Sequence, residues 1–350
     1  MAASKTCSMF ITRKSSALAR RGFPPTGACV RRTRSSLPPH PGPFPLQGGE
    51  GCEGLAKLKT ELSRSWVRGC LLALLLSSSA VAAPQRIVSL DYCADQYVLA
   101  LADKEQIAAV SRDAASERSN LPAAAAGLPQ TPEGLENVLA RHPDLVVRAW
   151  GGGYGLDSSL ARLGVATVTL GFVDGFTAVR ASLRQVGAAV GHPARAEAVI
   201  AQMDRRLANI AARVHLLPAE RRPWAVYLTP NGATSGAQTL MHDVMTAAGL
   251  RNQGARGDVV GWRRLDLETL VMFPPDVVVA SFFDLRFLDT DPWRVGRHSA
   301  LQAFLDAHPV AYVPARKFAC STWFAVDAVE DIFRQFVAPR LMTAQEGGHP

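Results

Sequence analysis

The sequence predicts an α/β protein built as two parallel-sheet lobes joined by one long, stiff helix. Three observations predict it: an internal duplication, strand and helix patterns that alternate within each half, and a long amphipathic segment between the halves. The duplication is direct. Glu136-Asn-Val-Leu-Ala-Arg-His-Pro-Asp-Leu-Val-Val-Arg-Ala-Trp150 recurs as Glu268-Thr-Leu-Val-Met-Phe-Pro-Pro-Asp-Val-Val-Val-Ala-Ser-Phe282, each preceded by a Leu (Leu135, Leu267). In both copies a short helical stretch is ended by Pro, which cannot continue a helix. The apolar β-branched runs that follow, Leu145–Val147 and Val277–Val279, read as strands buried on both faces, as in a parallel sheet.

The remaining elements fall into place around these copies. Arg86–Leu90 and Trp224–Leu228 open the two halves as strands, and Ile107–Ser111, Ala166–Leu170 and Val310–Val313 fit further strands. Helical patterns occupy Asp95–Leu101, Leu156–Leu163, Thr239–Ala248 and Val326–Phe336. Strands alternating with helices predict parallel sheets. Between the halves, Pro193 sits well at a first helical turn, and Val199, Ile200, Met203, Leu207, Ile210, Ala211 and Val214 recur at helical spacing up to Leu217-Pro218. A helix over 193–216 spans roughly 36 Å, enough to run the length of two small lobes.

The first 82 residues belong to no lobe. The Arg-rich and Pro/Gly-rich stretch before residue 55 lacks apolar periodicity and cannot offset its chain entropy by burial. Lys57, Lys59, Arg64 and Arg68 then lead into the apolar run Cys70–Leu76 and the tripeptide Ala80-Val-Ala82. Basic n-region, short h-region and small-residue cleavage site make a secretory signal, with cleavage after Ala82 and export to the periplasm. The run is far shorter than the roughly 20 residues that span a bilayer. The domain plan is thus an extension over 1–54 that is non-native or disordered, a signal peptide over 55–82 and an N-terminal lobe over 83–190. A linking helix over 191–218, a C-terminal lobe over 219–342 and a disordered tail over 343–350 complete it.

This division changes the charge argument. The whole chain carries a net +8, but residues 1–82 hold 12 basic and 3 acidic side chains, leaving 26 and 27 beyond them, a net of −1. The basic character resides in the leader, so nucleic-acid binding loses its compositional support. Four of six cysteines lie in the leader, and only Cys93 and Cys320 remain. Both fall at strand ends facing the expected cleft, one from each half. They are open to three roles: a disulfide, a thiol touching ligand, or small packing residues.

Ligands of parallel α/β sheets bind beyond the carboxyl ends of the strands. Those ends offer Asp91, Tyr92 and Cys93, then Trp150, Gly151–Gly153 and Tyr154 in the first half. The second offers Tyr227, Thr229, Asn231, Trp262, Phe282, Phe283, Thr322, Trp323 and Phe324. The binding set these positions predict is Tyr92, Cys93, Trp150, Tyr154, Thr229, Trp262, Thr322 and Trp323. Aromatic faces in such number suit a large planar or macrocyclic ligand. Rival chemistries are poorly served. Gly151-Gly-Gly-Tyr-Gly155 lacks the G-x-G-x-x-G spacing and the acid at the next strand's end. Gly232-Ala-Thr-Ser-Gly236 is not a nucleophile elbow. The histidines show no paired metal-ligand spacing.

In order and spacing, these features resemble the iron-siderophore/cobalamin substrate-binding proteins of ABC importers. The features are Arg86-Ile-Val-Ser-Leu after a signal, Gly134-Leu-Glu136 before His-Pro-Asp-Leu-Val-Val, the long middle helix, Thr234-Ser-Gly with a following Leu-rich helix, and Asp266-Leu-Glu268 before Pro-Asp-Val-Val-Val. The resemblance covers about residues 84–340. It implies two Rossmann-like lobes on one rigid helix (a class III periplasmic binding protein) with limited hinge motion. It implies a non-enzymatic, monomeric carrier of an iron chelate (siderophore or heme) or cobalamin. That carrier needs no cofactor or metal of its own and delivers to an ABC permease dimer in the inner membrane. It also implies docking through one acid per lobe, at Glu136 and Glu268, the points the duplication makes equivalent. Trp150, Trp262 and the Thr322–Phe324 segment match ligand-facing positions of cobalamin binders. The acid–arginine pair such binders carry near Thr322 is replaced by Thr322 and Val326. Arg148, Arg286, Arg294 and Arg297 are candidates for a chelate's negative charge. The alternative reading is a two-lobed metal-chelatase-like enzyme acting on a tetrapyrrole, which the export signal disfavours.

Overall fold

Backbone pairing begins where the repeated Pro-Asp predicts, and it begins the same way twice. In the computed structural model, which describes residues 82–149, 155–284 and 299–346, Asp144 accepts the amides of Gln85 (2.7 Å) and Arg86 (3.0 Å) and returns its own amide to the Arg86 carbonyl (3.1 Å). Asp276 accepts the amide of Trp224 (2.7 Å) and returns its own to the Trp224 carbonyl (2.8 Å). Each Asp therefore sets the register between the opening strand of its half and the strand that follows the Asp, Ile87 opposite Leu145 and Ala225 opposite Val277.

The N-terminal sheet comprises Ile87–Ser89 (β1), Ile107–Ser111 (β2), Gln130–Thr131 (β3), Leu145–Ala149 (β4) and Ala166–Leu170 (β5), all parallel, in the order β3-β2-β1-β4-β5. The second half supplies Trp224–Leu228 (β6), Ala233–Ser235 (β7), Arg251–Asn252 (β8), Trp262–Arg264 (β9), Val277–Ser281 (β10) and Val310–Val313 (β11). Four of these form a separate parallel sheet in the order β11-β10-β6-β8, while β7 and β9 make an antiparallel pair. Read from the other edge, β8-β6-β10-β11 repeats the order β2-β1-β4-β5. The duplication in sequence is a duplication of topology.

Both central strands are covered on both faces, as their unbroken apolar runs require. Leu145 and Val147 join the main core while Val146 turns to a smaller outer one with Val88, Val138 and Leu160. Val277 and Val279 join the main core while Val278 turns outward to Val226, Leu270, Leu301 and Leu305. The main core is continuous through both lobes, from Tyr97 and Val179 to Tyr227 and Val329.

The linking helix spans Pro193–Val214, 22 residues or about 33 Å. It stops short of the expected Leu217-Pro218 because its last turn gives way to turns closed on Arg213 and Val214 carbonyls. Ala196, Ile200, Met203, Ile210 and Val214 form its buried face, whereas Ala211 is exposed. Arg195 ties it to Asp103 (2.7 Å) and the Leu101 carbonyl (2.7 Å) of the first lobe. Arg206 ties it to Asp327 (2.6 Å) and Glu330 (2.7 Å) of the second. A helix not foreseen from sequence, Phe176–Ala189, packs alongside. Gly187 allows the approach, since a Cβ there would lie 2.5 Å from that of Ala196. The helix expected over Val326–Phe336 is α-helical over Ala325–Ile332, passes through a π-helical turn at Phe333–Val337, and continues as Ala338–Glu346. Helix therefore occupies 343–346, where a disordered tail was expected. The extension over 1–54 and nearly all of the expected signal peptide lie outside the described residues.

Candidate functional site: a stapled inter-lobe cleft

The site starts from Asp91, the residue after the first strand. Its carboxylate caps the helix Tyr92–Leu101 by accepting the amides of Cys93 (3.0 Å) and Ala94 (2.9 Å). Its other oxygen accepts the amide of Ala149 (2.7 Å) at the end of β4. One side chain thus fastens two strand ends and starts the helix that carries Tyr92 and Cys93. Burial raises its pKa against the three amide bonds that oppose the shift.

One turn on, Asp95 is fully buried and accepts from the amide (3.1 Å) and hydroxyl (2.5 Å) of Ser111 at the end of β2. Burial pushes its pKa up to about 6. Between pH about 4 and about 6 the folded protein therefore holds a proton that the unfolded chain has released, and stability falls as pH rises through this window. Asp95→Asn removes that slope. Urea midpoints across the window are expected to show the wild type losing on the order of 1–3 kcal/mol relative to the variant. Parallel profiles would contradict burial as the cause.

Two of the cavities at the carboxyl ends of the strands share a wall. The larger, about 600 Å³, is mixed in lining and carries the charged groups: Arg112, Asp113, Arg118 and Glu133 face it beside Tyr92, Leu90 and Pro132. Arg118 stands 5.8 Å from the Tyr92 ring centre and 3.7 Å from Asp113. Burial raises the Tyr92 phenol and the Arg118 charge opposes it. The smaller, about 210 Å³, is apolar and draws on both lobes, with Phe172 from one and Met241, Trp262, Phe282 and Phe318 from the other. Trp262 lies on β9, 47% exposed, edge-on to Tyr227 at 5.6 Å. Phe282 and Ser321, both on this wall, hold left-handed backbone (φ 70° and 47°), a conformation that costs non-glycine residues and is retained where surroundings impose it.

Between the cavities lies a disulfide. Cys93 and Cys320 are bonded, with Cα atoms 4.9 Å apart, and Cys93, Ala149 and Ala319 line both cavities. Of the three roles open to these cysteines, the bonded one is present, so Cys93 offers no free thiol to a ligand. Nearby, the lobes also meet through Asn120 donating to the Arg316 carbonyl (2.8 Å) and through Tyr97 packed edge-on against Trp323 at 5.3 Å. Behind them, Asp243 accepts the amide of Phe176 (3.0 Å).

The residues expected at the site divide. Tyr92, Cys93 and Trp262 line the cavities. Thr229 does not project as a ligand group: its hydroxyl bonds Asn231 (2.5 Å) and accepts the Ala233 amide (3.0 Å), closing the turn before β7. Thr322 is fully buried, with its carbonyl accepting the Ala325 amide (3.1 Å) at a helix start. Trp323 packs between Tyr97 and Phe324 as part of the inter-lobe core. Trp150, Tyr154 and the candidates Arg286, Arg294 and Arg297 lie outside the described residues. Arg148 is buried on β4, where it donates to Asp157 (2.7 Å). The arginines that do line the cleft, Arg112 and Arg118, went unnamed. Arg112 follows the correctly expected strand Ile107–Ser111, so the strand-end rule reaches it; Arg118 arrives from an irregular loop with no periodic signal.

Glu136 and Glu268 are both exposed, in the first turns of Leu135–Leu139 and Leu267–Met272, the helices leading into β4 and β10. A helix feeding a parallel strand begins at the sheet's carboxyl edge, so both acids stand at the cleft edge of their own lobe. Their helices start differently. Asp266 caps the second by accepting the Glu268 amide (3.0 Å) and the Thr269 hydroxyl (2.7 Å), whereas the first is entered through Gly134 at φ 130°. Among the described residues no cluster of three or more His, Cys, Asp or Glu could hold a metal ion, and no helix is long and apolar enough to cross a membrane.

Two equivalent parallel-sheet lobes, one connecting helix and a cleft at the apposed strand ends define a class III binding-protein fold. The chain belongs to the periplasmic binding protein family, whose sequence pattern matches residues 87–304. It is similar to the vitamin B12-binding protein of Pectobacterium atrosepticum (28% identity over 220 residues, 60% of this chain and 76% of the relative). It is also similar to the cobalamin-binding protein of Halobacterium salinarum (28% over 207 residues, 57% and 54%). In fold it matches a periplasmic heme-binding protein from Pseudomonas aeruginosa (TM-score 0.55, 22% identity, 72% and 92% covered). The periplasmic vitamin B12-binding protein of Vibrio cholerae is a second such match (TM-score 0.52, 20% identity, 75% and 98% covered).

Proposed function

We propose that this protein is the solute-binding component of an ABC importer. It captures an iron chelate (siderophore or heme) or a corrinoid in the inter-lobe cleft and delivers it to a membrane permease through Glu136 and Glu268. The observation that carries the reading is the cleft itself. One chamber, at the strand ends of the N-terminal sheet and touched by Ala319 of the second lobe, bears Arg112, Arg118 and Tyr92; a second, between the lobes, is walled by Trp262, Phe172 and Phe282. A guanidinium pair suits the carboxylate or hydroxamate oxygens of a chelate, and aromatic walls suit a macrocycle or catechol ring. Export to the periplasm is supported by the signal-like segment over 55–82 and by the disulfide, which persists in oxidising compartments. The continuous core and the doubly anchored helix favour a pre-formed cleft with small lobe movements over wide opening. The protein acts as a monomer, without a cofactor or catalytic turnover.

Trp262 tests the ligand site. Fluorescence titration with hemin, cyanocobalamin and a ferric hydroxamate is expected to give saturable quenching for one of them. Trp262→Ala should weaken that ligand about tenfold, as for an aromatic anchor in a binding pocket. An unchanged affinity would move the ligand away from the C-terminal wall.

A further inference from the structure

We propose that the Cys93–Cys320 bond is a partition within the cleft, a fixed wall that sets the separation of the lobes at that point and keeps two chambers of unlike chemistry apart. Three observations carry it. The bond joins the lobes across 227 residues of sequence, from the start of the first helix to the segment before Ala325–Ile332. It sits at the boundary of the two cavities, since Cys93, Ala149 and Ala319 line both, whereas Cys320 and Ser321 face only the apolar one. The chambers it separates differ in kind: Arg112, Arg118 and Glu133 on one side, Phe172, Trp262 and Phe282 on the other.

The other inter-lobe ties leave this role unfilled. Arg206 with Asp327 and Glu330 acts from the linking helix, Asp243 caps the Phe176–Ala189 helix, and Tyr97 meets Trp323 inside the core. Asn120, on the Arg316 carbonyl, is a single neutral hydrogen bond. Among the described residues only the disulfide is a covalent limit at the cavity wall. A wall of that kind pre-organises the cleft, so a ligand need not supply the cost of ordering it. It also means that an occupant places its polar or anionic part and its apolar part on opposite sides of the sulfur pair. This last point rests on the cleft being the ligand site; the fixed separation does not.

The test compares wild type with Cys93→Ser/Cys320→Ser and with Cys93→Ala/Cys320→Ala, after thiol counting confirms the bond in the wild type. Amide hydrogen exchange without ligand is expected to accelerate in residues 91–97 and 318–324 by roughly tenfold more than in the helix Pro193–Val214, whose change reports the global loss of stability. Hemin, which carries both carboxylates and an apolar ring, is titrated in parallel and is expected to bind both variants roughly tenfold more weakly. Exchange at the cavity wall that accelerates no more than in that helix overturns the partition. So does loss of the circular-dichroism spectrum in both variants, which would make the bond a requirement of the core. If the wild type does not bind hemin, that bears on the ligand and the exchange data alone decide the wall.

Discussion

Replacing Cys93 and Cys320 together by serine is expected to lower unfolding free energy by about 2–5 kcal/mol. The bond closes a loop of 227 residues, near the upper end of what loop closure removes from the unfolded ensemble. The native state loses little enthalpic packing in exchange, because the neighbouring side chains at the bond, Ala149 and Ala319, are small. For a folded region of this size the loss corresponds to about 5–15 °C in melting temperature. The control is the wild type in a reductant, which should melt with the variant. Coincident melting of variant and untreated wild type would mean that the shared core and the linking helix already hold the lobes as firmly as the bond does.

Reversing both acids, Glu136→Arg and Glu268→Arg, is expected to abolish ligand uptake by cells while leaving ligand affinity in solution unchanged. Each acid is exposed and none of the cavity-lining residues is involved. Exposed charges at an interface chiefly set orientation and association rate, and a like charge facing a basic partner costs several kcal/mol. The reading requires both ends of a two-point dock, so each single reversal should impair uptake and the pair should eliminate it. An alternative role, an acid stabilising the first turn of its helix, predicts a different pattern: a stability change of about 0.3–1 kcal/mol and normal uptake. Uptake assays alongside thermal melts separate the two.

The architecture was legible because the physical causes are local and occur twice. The Pro-Asp pairs announce the central strands, and the structure shows why: Asp144 and Asp276 accept the amides that start the neighbouring strand. The linking helix declared itself by amphipathic spacing. What escaped was short or irregular. β3 and β8 are two residues each, too brief for alternation to register. Phe176–Ala189 is broken by no Pro and yet begins on Gly175 and contains Gly187, residues that read as turn signals. At Gly187 a Cβ would meet that of Ala196 at 2.5 Å, whereas a Cβ at Gly175 would meet only the Asp243 carboxylate, which can swing aside.

The site was less legible than the fold for a related reason. Strand-end reasoning picks out backbone positions, and it found Tyr92, Cys93 and Trp262. It cannot distinguish a side chain that faces the cleft from one that serves the fold. Thr229, Thr322 and Trp323 all sit at plausible ends, but their bonds and packing close a turn, start a helix and join the lobes. Arg118 reaches the cleft from a loop without periodicity. The disulfide needed three-dimensional proximity across 227 residues, which no spacing rule supplies.

The central claim, that the cleft holds a chelate or corrinoid, is tested most directly by isothermal titration calorimetry. Purified protein comprising residues 83–350 would be titrated with hemin, cyanocobalamin and a ferric hydroxamate. One of the three is expected to bind with one-to-one stoichiometry and micromolar or tighter affinity, and to be weakened by Arg112→Ala/Arg118→Ala. Absence of binding to all three, or binding that ignores both arginines and Trp262, would contradict it.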